Sequence, residues 1–440
     1  MKYSLLFMIP GLLALSNDSM GQSVSWLAKA SNKYFANDAK EFYVYVSLTG
    51  NESIKNDKRV PLNISIVLDR SGSMGGDKIA YARNAASFIV GQLAADDIVS
   101  IVNYDDRIEV TSPSEQVKNK EVLQKKINAL TARGSTNLTG GMLEGFTQVR
   151  STRKDGYVNR VLLLTDGLAN VGITDPNEMK KLVEKKYLEE GVALSTFGLG
   201  ADYNEDLLTM LAEMGRANYY FIGSPDKIPE IFAKELKGLL SVVAQNAVVK
   251  VDFPANLECT KVYGYPYEVK GSELTIRFND VYAKDQKGIL LKFRARSEVP
   301  SSLEFNCTMN YVDASNFSPV NASKKIVIER SSDATVMKEH QDMLVEEMIA
   351  LYESTEMFDE VLARVDARDY EAARVQADRA VQYLKAKQVY ITSDKLKKQE
   401  DNLTTYSKDI EKVKVMREEE RKMYQKTNKS VNYGVKKGKQ

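Results

Sequence analysis

From Leu62 to about Leu240 the chain alternates short apolar runs with stretches whose apolar residues return every three or four positions. "ISIVL", "IVSIVNY", "VNRVLLLT" and "VALSTFGLG" are continuous rather than alternating, which is the texture of strands buried on both faces. "RIEVTS" and "ANYYFI" add two further strands, and Asp105 and Asp106 supply the turn before the first of them. After "ISIVL", the residues Ile79, Ala82, Ala86, Ile89, Val90 and Leu93 recur at helical spacing. Further helices are predicted on either side of "ARGSTNLTGG", near Met179 to Leu188, around Glu205 to Glu213, and from about Asp226 to Leu240. Strands alternating with helices of about 10–15 residues predict a doubly wound, mostly parallel α/β sheet with right-handed crossovers.

The periodicity changes on both sides of this unit. "EFYVYVSLTG" before it, and "AVVKVDF", "ELTIRF", "ILLKFRAR", "LEFNCTMNYV" and "KKIVIER" after it, alternate with period two and are rich in β-branched and aromatic residues. They predict an all-β sandwich whose first strand precedes the α/β unit, which then sits as an insertion. From Asp333 to about Lys426 there is no proline, and "MLVEEMIALYE" and "YEAARVQADRAVQYLKAK" read as helices, a hairpin followed by a long arm. The second of these resembles one tetratricopeptide helix pair, but a single copy makes no solenoid. The expected division is 22–60 for an N-terminal β segment pairing with the sandwich, 61–243 for the α/β domain, 244–330 for the sandwich, 331–427 for the helical region and 428–440 for a basic, disordered tail.

Composition narrows the function. The 61 basic and 60 acidic side chains of this 440-residue chain nearly cancel, so no overall field draws it to nucleic acid or anionic lipid. A single histidine, His340, removes His-based metal cages and argues against Ser/His or Cys/His nucleophiles. Lys2 followed by "YSLLFMIPGLLALS" has the charge and apolar length of an export signal over residues 1–21, with cleavage after Ser16 or near Gly21. No later segment approaches the roughly 18 apolar residues of a membrane span. Export places Cys259 and Cys307 where a disulfide can form, while the alternation of Cys307 with Phe305, Met309 and Tyr311 suits a small core residue equally well.

The candidate chemistry lies where the first buried strand ends. "LDRSGSM" places Asp69 at the strand terminus and Ser71 and Ser73 in the turn beyond, with Gly72 between them to let the backbone come close. "VLLLTDG" places Asp166 at a second strand end, and "GSTNL" offers Thr136 in a loop entering a helix. In a doubly wound sheet, ligands sit outside the carboxyl ends of the strands. Two carboxylates and three hydroxyls from three loops suit a hard, oxygen-seeking cation, Mg²⁺ first, with Mn²⁺ or Ca²⁺ as alternatives. If Asp69 and Asp166 act partly through water, the ion keeps enough Lewis acidity to take an external carboxylate.

Asp69, Ser71, Ser73, Thr136 and Asp166 resemble the metal-ion-dependent adhesion site of von Willebrand factor type A domains, whose Asp-x-Ser-x-Ser, Thr and Asp stand in this order. "TFGLG" followed by a helix and "YYFI" is similar to the closing half of that fold, and the likeness covers about Pro61 to Leu240. It implies that the five residues coordinate the ion and that an Asp or Glu of a protein ligand completes its shell. The β-rich flanks and trailing helices resemble bacterial exported proteins of the same superfamily and the heavy chains of the inter-alpha-trypsin inhibitors.

Other chemistries match poorly. "GLGADY" has Tyr203 where a dinucleotide fingerprint needs its third glycine, "GGDK" lacks the spacing of a phosphate-binding loop, and no Gly-x-Ser-x-Gly elbow occurs. Asn63, Asn137 and Asn306 lie in glycosylation triplets, yet Asn63 borders a buried strand and Asn137 adjoins the proposed ion, which favours a bacterial source. The expectation is a non-enzymatic protein, periplasmic, cell-surface or secreted, that grips a partner through a divalent cation. Its C-terminal helices are available for a second partner or for self-association. The alternatives are an assembly module for an ATPase chaperone, which export disfavours, and a metal-assisted hydrolase, for which no general base is evident.

Overall fold

The structure is a computed structural model that describes residues 23–52, 59–278 and 280–438. The export-signal reading of residues 1–21 falls outside the described residues. In chain order the N-terminal part forms β1 (Val24–Ala30), β2 (Tyr34–Phe35) and β3 (Glu41–Gly50). The α/β unit follows as β4 (Leu62–Asp69), α1 (Asp77–Gln92), β5 (Ile98–Tyr104), β6 (Ile108–Gln116), α2 (Lys120–Asn128), α3 (Leu138–Ser151), β7 (Val158–Thr165), α4 (Pro176–Glu190), β8 (Ala193–Leu199), α5 (Glu205–Met214), β9 (Arg216–Ile222) and α6 (Ile228–Leu239). The sandwich strands are β10 (Val242–Asp252), β11 (Leu257–Tyr263), β12 (Tyr267–Lys270), β13 (Glu273–Arg277), β14 (Val281–Tyr282), β15 (Gln286–Ala295), β16 (Ser302–Asp313) and β17 (Pro319–Arg330). The chain closes with α7 (Ala334–Glu339), α8 (Met343–Asp366), α9 (Tyr370–Gln388), α10 (Asp394–Val415) and α11 (Glu418–Lys436).

The α/β sheet has the order β6-β5-β4-β7-β8-β9 and is parallel except for β6. Every residue of β4 is buried, as a strand covered on both faces must be. Its alternate residues serve two cores. Ile64, Ile66 and Leu68 pack with α1 and α6, whereas Val67 packs with α3, α4 and α5. From β4 the chain runs to β5 on one side and resumes through β7 on the other, so the order reverses between β4 and β7.

The sandwich pairs a four-stranded sheet, β1-β3-β15-β11, with a larger one built on β12-β13-β10-β16-β17-β2. Strands from both sides of the α/β unit therefore share one core, in which Val44, Val46 and Leu48 meet Val249, Phe293 and Phe305. Gly50 ends β3 on the way out of the sandwich, and a Cβ there would lie 2.0 Å from the backbone oxygen of Tyr282. Backbone cannot swing aside as a side chain does. Gly50→Ala is expected to lower stability by about 1–3 kcal/mol, measured as a shift in the urea midpoint at unchanged m-value.

Cys259 and Cys307 are free, on β11 and β16 of opposite sheets, and Cys307 is buried beside Phe305 and Met309. Burial pushes the two thiols up, to about 11 and about 12. Of the two roles open to them, the structure has the small core residue.

The helical arm, which the sequence leaves either extended or folded back, is folded back: α8, α9, α10 and α11 pack together and onto Tyr45, Tyr263 and Leu290 of the four-stranded sheet. One expectation for the C-terminus is corrected: residues 428–438 are not a disordered tail, since α11 runs to Lys436 and several of its lysines are paired. Lys429 lies 2.8 Å from Asp366 and 3.6 Å from Glu205, Lys436 pairs with Asp359, and Lys437 lies 2.9 Å from Glu213. Asn432 is buried and donates to the Thr355 oxygen and to Asp359. The helix docks through these polar groups and through Tyr424, Tyr433 and Val435, so its apolar stripe is thin.

Candidate functional site

Asp69 and Asp166 stand at the carboxyl ends of the adjacent strands β4 and β7, at the point where the strand order reverses. Three loops close over this point through their backbones. Gly72 N donates to the Gly134 oxygen at 3.0 Å, and Arg133 N donates to the Arg70 oxygen at 2.7 Å. Asn170 N and Val171 N both donate to the Thr136 oxygen, while Thr136 N donates to Asn170 Oδ1 at 2.8 Å. Gly134 is needed at its turn, because its φ is 71° and a Cβ would meet Asp106 Oδ1 at 2.2 Å.

The five residues come together. Asp69 Oδ1 accepts from Ser71 N at 2.8 Å, Ser71 Oγ and Ser73 Oγ are 3.1 Å apart, and Ser73 Oγ donates to Asp166 Oδ1 at 2.7 Å. A Cβ placed on Gly167 would lie 3.6 Å from both Ser73 Oγ and Thr136 Oγ1, which sets Thr136 beside the serines. Asp69, Ser71, Thr136 and Asp166 are buried.

The structure adds residues that the sequence reading passed over. Thr165 Oγ1 donates to Asp69 Oδ2 at 2.6 Å, and the Tyr104 hydroxyl reaches the same oxygen at 3.4 Å. Lys78, in the first turn of α1, places Nζ 2.6 Å from Asp166 Oδ2. Thr165 is adjacent to Asp166 in the sequence, and Lys78 follows the serine turn closely, so nearness in sequence was the available signal. Below the rim, Asp105 is buried and takes Nε–H bonds from Arg70 at 2.9 Å and Arg133 at 2.8 Å. Burial raises the Asp105 carboxyl, but Arg133, the Arg107 amide and Arg70 outweigh it and hold it below the usual value. This ion pair braces the loops that carry Ser71 and Thr136.

Burial pushes the Asp69 carboxyl up to about 6, against the hydrogen bonds from Thr165 and Ser71, and the nearby Asp166 charge adds to the rise. Two carboxylates this close favour a positive charge between them. Lys78 supplies one to Asp166 from the side. Among the described residues no group of three or more His, Cys, Asp or Glu is arranged to hold a metal ion. The oxygen set here is of another kind, two carboxylates with three hydroxyls, and it fits a hard cation that keeps part of its water. Beside it Leu168, next but one to Asp166, is 54% exposed.

Residues 63–234 match the family model of the von Willebrand factor type A domain. An uncharacterized Escherichia coli K12 protein, YfbK, is 32% identical over 214 residues, covering 48% of this chain and 37% of that protein. Inter-alpha-trypsin inhibitor heavy chain H3 of Mesocricetus auratus is 28% identical over 235 residues, 49% of this chain and 25% of that one. The chain thus spans well under half the length of these relatives. Among solved structures, a von Willebrand factor type A protein from Catenulispora acidiphila superposes with a TM-score of 0.74 at 14% identity, over 95% of this chain and 98% of its own. The ArnB paralog VWA2 from Sulfolobus acidocaldarius does so with 0.64 at 18% identity, over 93% and 99%. At these identities the two structures speak for the fold alone.

Proposed function

On the premise that residues 63–234 form a von Willebrand factor type A domain, typically a protein-binding module, we propose that this is an exported protein that holds a partner through a divalent cation. The observation that carries the reading is the convergence of Asp69, Ser71, Ser73, Thr136 and Asp166 at the strand ends where the sheet order reverses. Ser71, Ser73 and Thr136 would bind the ion directly, with Asp69 and Asp166 neutralising it from beneath. When bound, the cation supplies an open position for an Asp or Glu carboxylate of the partner. Mg²⁺ suits this donor set best, because few carboxylates and retained waters are its habit.

The role is binding rather than turnover. His340, the one histidine, sits at the end of α7 with its ring edge-on to Tyr34, in the sandwich and not at the site. Lys2 and the apolar run behind it support export, and no helix among the described residues is long and apolar enough to cross a membrane.

The test is retention of envelope and extracellular proteins on the immobilised chain in Mg²⁺, in chelator, and with Ser73→Ala. One or more proteins should be held by the wild type in Mg²⁺ and lost in the other two conditions. Equal retention in all three would remove the cation from the function.

A further inference from the structure

At the amino ends of the α/β strands, opposite the ends that carry Asp69 and Asp166, the three parts of the molecule meet around a small, partly open cavity. Arg160 reaches it from the start of β7, Arg216 from the first residue of β9, Arg277 and Lys287 from the sandwich, and Lys437 from the end of α11. Its volume is about 30 Å³, room for a group of about the size of water. Against these five cations the wall carries two carboxylates, Glu213 and Asp280.

The pairing of those cations is uneven. Arg160 is 1% exposed and holds two carboxylates, Asp280 at 2.7 Å and Glu235 at 3.3 Å. Lys437 has Glu213 at 2.9 Å, Arg277 has Glu268 at 3.4 Å, and Lys287 has Asp285 at 3.5 Å. Among the described residues, Arg216 has no carboxylate at ion-pair distance. Its partners are the Pro266 oxygen at 3.4 Å and the face of Tyr187 at 5.9 Å. Two buried N–H donors on residues that line this one cavity, Arg160 Nε and Arg216 Nε, have no hydrogen-bond acceptor among the described residues. Arg216 also adopts a left-handed backbone, φ 54°, which residues with a Cβ rarely hold without a compensating contact.

We propose that this cavity binds one small monovalent anion, chloride in ordinary media, which accepts from Arg160 Nε and Arg216 Nε. Orphaned buried donors are rare in folded proteins and point to an unseen acceptor. A water molecule would accept from them too, but it would leave the half-buried Arg216 guanidinium with counter-charge only at a distance, from Glu184 and Glu268, where an anion would give it a direct partner. Burial pushes the Arg216 and Lys437 side chains down; Glu184 and Glu268 oppose the shift at Arg216 and Glu213 opposes it at Lys437, while the cationic neighbours Arg277 and Lys287 add to it. An anion relieves both. Because β7, β9, the sandwich and α11 all contribute to the wall, an ion there would also fasten α11 to the α/β unit.

The experiment uses the full chain. Thermal unfolding is followed in sodium chloride, bromide, gluconate and sulfate at matched ionic strength, and crystals grown in bromide are examined at the bromine absorption edge. Chloride and bromide should raise Tm saturably by roughly 2–4 °C over gluconate and sulfate. An anomalous peak should lie between Arg160 and Arg216. Arg216→Gln should lose the halide-dependent rise while keeping its circular dichroism spectrum. Should that variant fail to fold, the wild-type bromide map decides by itself. A cavity that holds no anomalous scatterer at high bromide overturns the proposal, as does a Tm that is the same in chloride and gluconate.

Discussion

Arg160→Leu is expected to lower the free energy of unfolding by about 3–5 kcal/mol, the usual result of stripping one partner from a buried ion pair. The guanidinium is enclosed and supplies donors to Glu235 on α6, to Asp280 and the Tyr282 hydroxyl of the sandwich, and to Ser195 on β8. Leucine fills much of the volume and supplies no donor. Glu235 keeps Ser195 at 2.5 Å, Asn218 at 2.7 Å and Tyr220 at 2.8 Å, but it loses its countercharge. Burial by itself would raise the Glu235 carboxyl. In the wild type Arg160 and those three hydrogen bonds outweigh burial and hold it below the usual value. A carboxyl depressed in the folded state contributes stability above its unfolded value, near about 4.3, and loses it as pH falls through the lower folded value. In Arg160→Leu burial prevails, so Glu235 should cost stability as pH rises through the weakly acid range. Urea titrations from pH 4 to pH 8 read both effects. A loss below about 1 kcal/mol, with an unaltered pH slope, would show that the network contributes no more than an exposed pair does.

The same network explains what a sequence displays and what it hides. β4 and β7 were legible because strands covered on both faces must be apolar throughout, and "ISIVL" and "VLLLT" have no other economical use. Asp69, Ser71, Ser73, Thr136 and Asp166 were legible as candidates because several oxygens directly beyond such strands have few structural reasons to gather. Thr165, Tyr104 and Lys78 were not, since each is an ordinary residue of a strand or helix until the fold turns it toward a carboxylate. Arg160 reads as a polar break in an apolar strand, and its partners Glu235 and Asp280 lie 75 and 120 residues away. α11 was misread for a related reason. Beside Tyr424, Tyr433 and Val435, its contacts are lysines, a glutamine and an asparagine meeting acids and carbonyls on α8, α5 and the sandwich. Three apolar positions give only a faint period for a helix that docks largely by hydrogen bonds and ion pairs. Burial of Glu205 against it raises that carboxyl to about 7, with Lys429 and Lys426 opposing the rise.

If the convergent oxygens hold a cation, Asp69→Asn should weaken Mg²⁺ binding by more than the ~10–100-fold typical of changes outside a metal's direct ligands, and Lys78→Ala should strengthen it by roughly tenfold. Asparagine preserves the shape of Asp69 and removes its charge, so the loss reads the electrostatic share of the site. Lys78 acts with the opposite sign. Its ammonium sits 2.6 Å from Asp166 Oδ2, and an incoming divalent ion must either displace it or endure its repulsion. The dependence on pH follows from Asp69, whose carboxyl burial raises to about 6. The ion-free folded chain therefore binds this proton more tightly than the unfolded chain, and it loses stability as pH rises from about 4 to about 6. Below about 6 the cation must expel the proton. Affinity should accordingly climb with pH up to that value and level off above it, and Asp69→Asn should flatten the climb. Calorimetric titration of Mg²⁺ into the three proteins between pH 5 and pH 8 measures all of these. Wild type and Asp69→Asn binding alike at pH 7.5 would place the cation elsewhere and leave Lys78 as the permanent countercharge of the pair, in which case the exposed Leu168 rim would have to recognise a partner without a metal bridge.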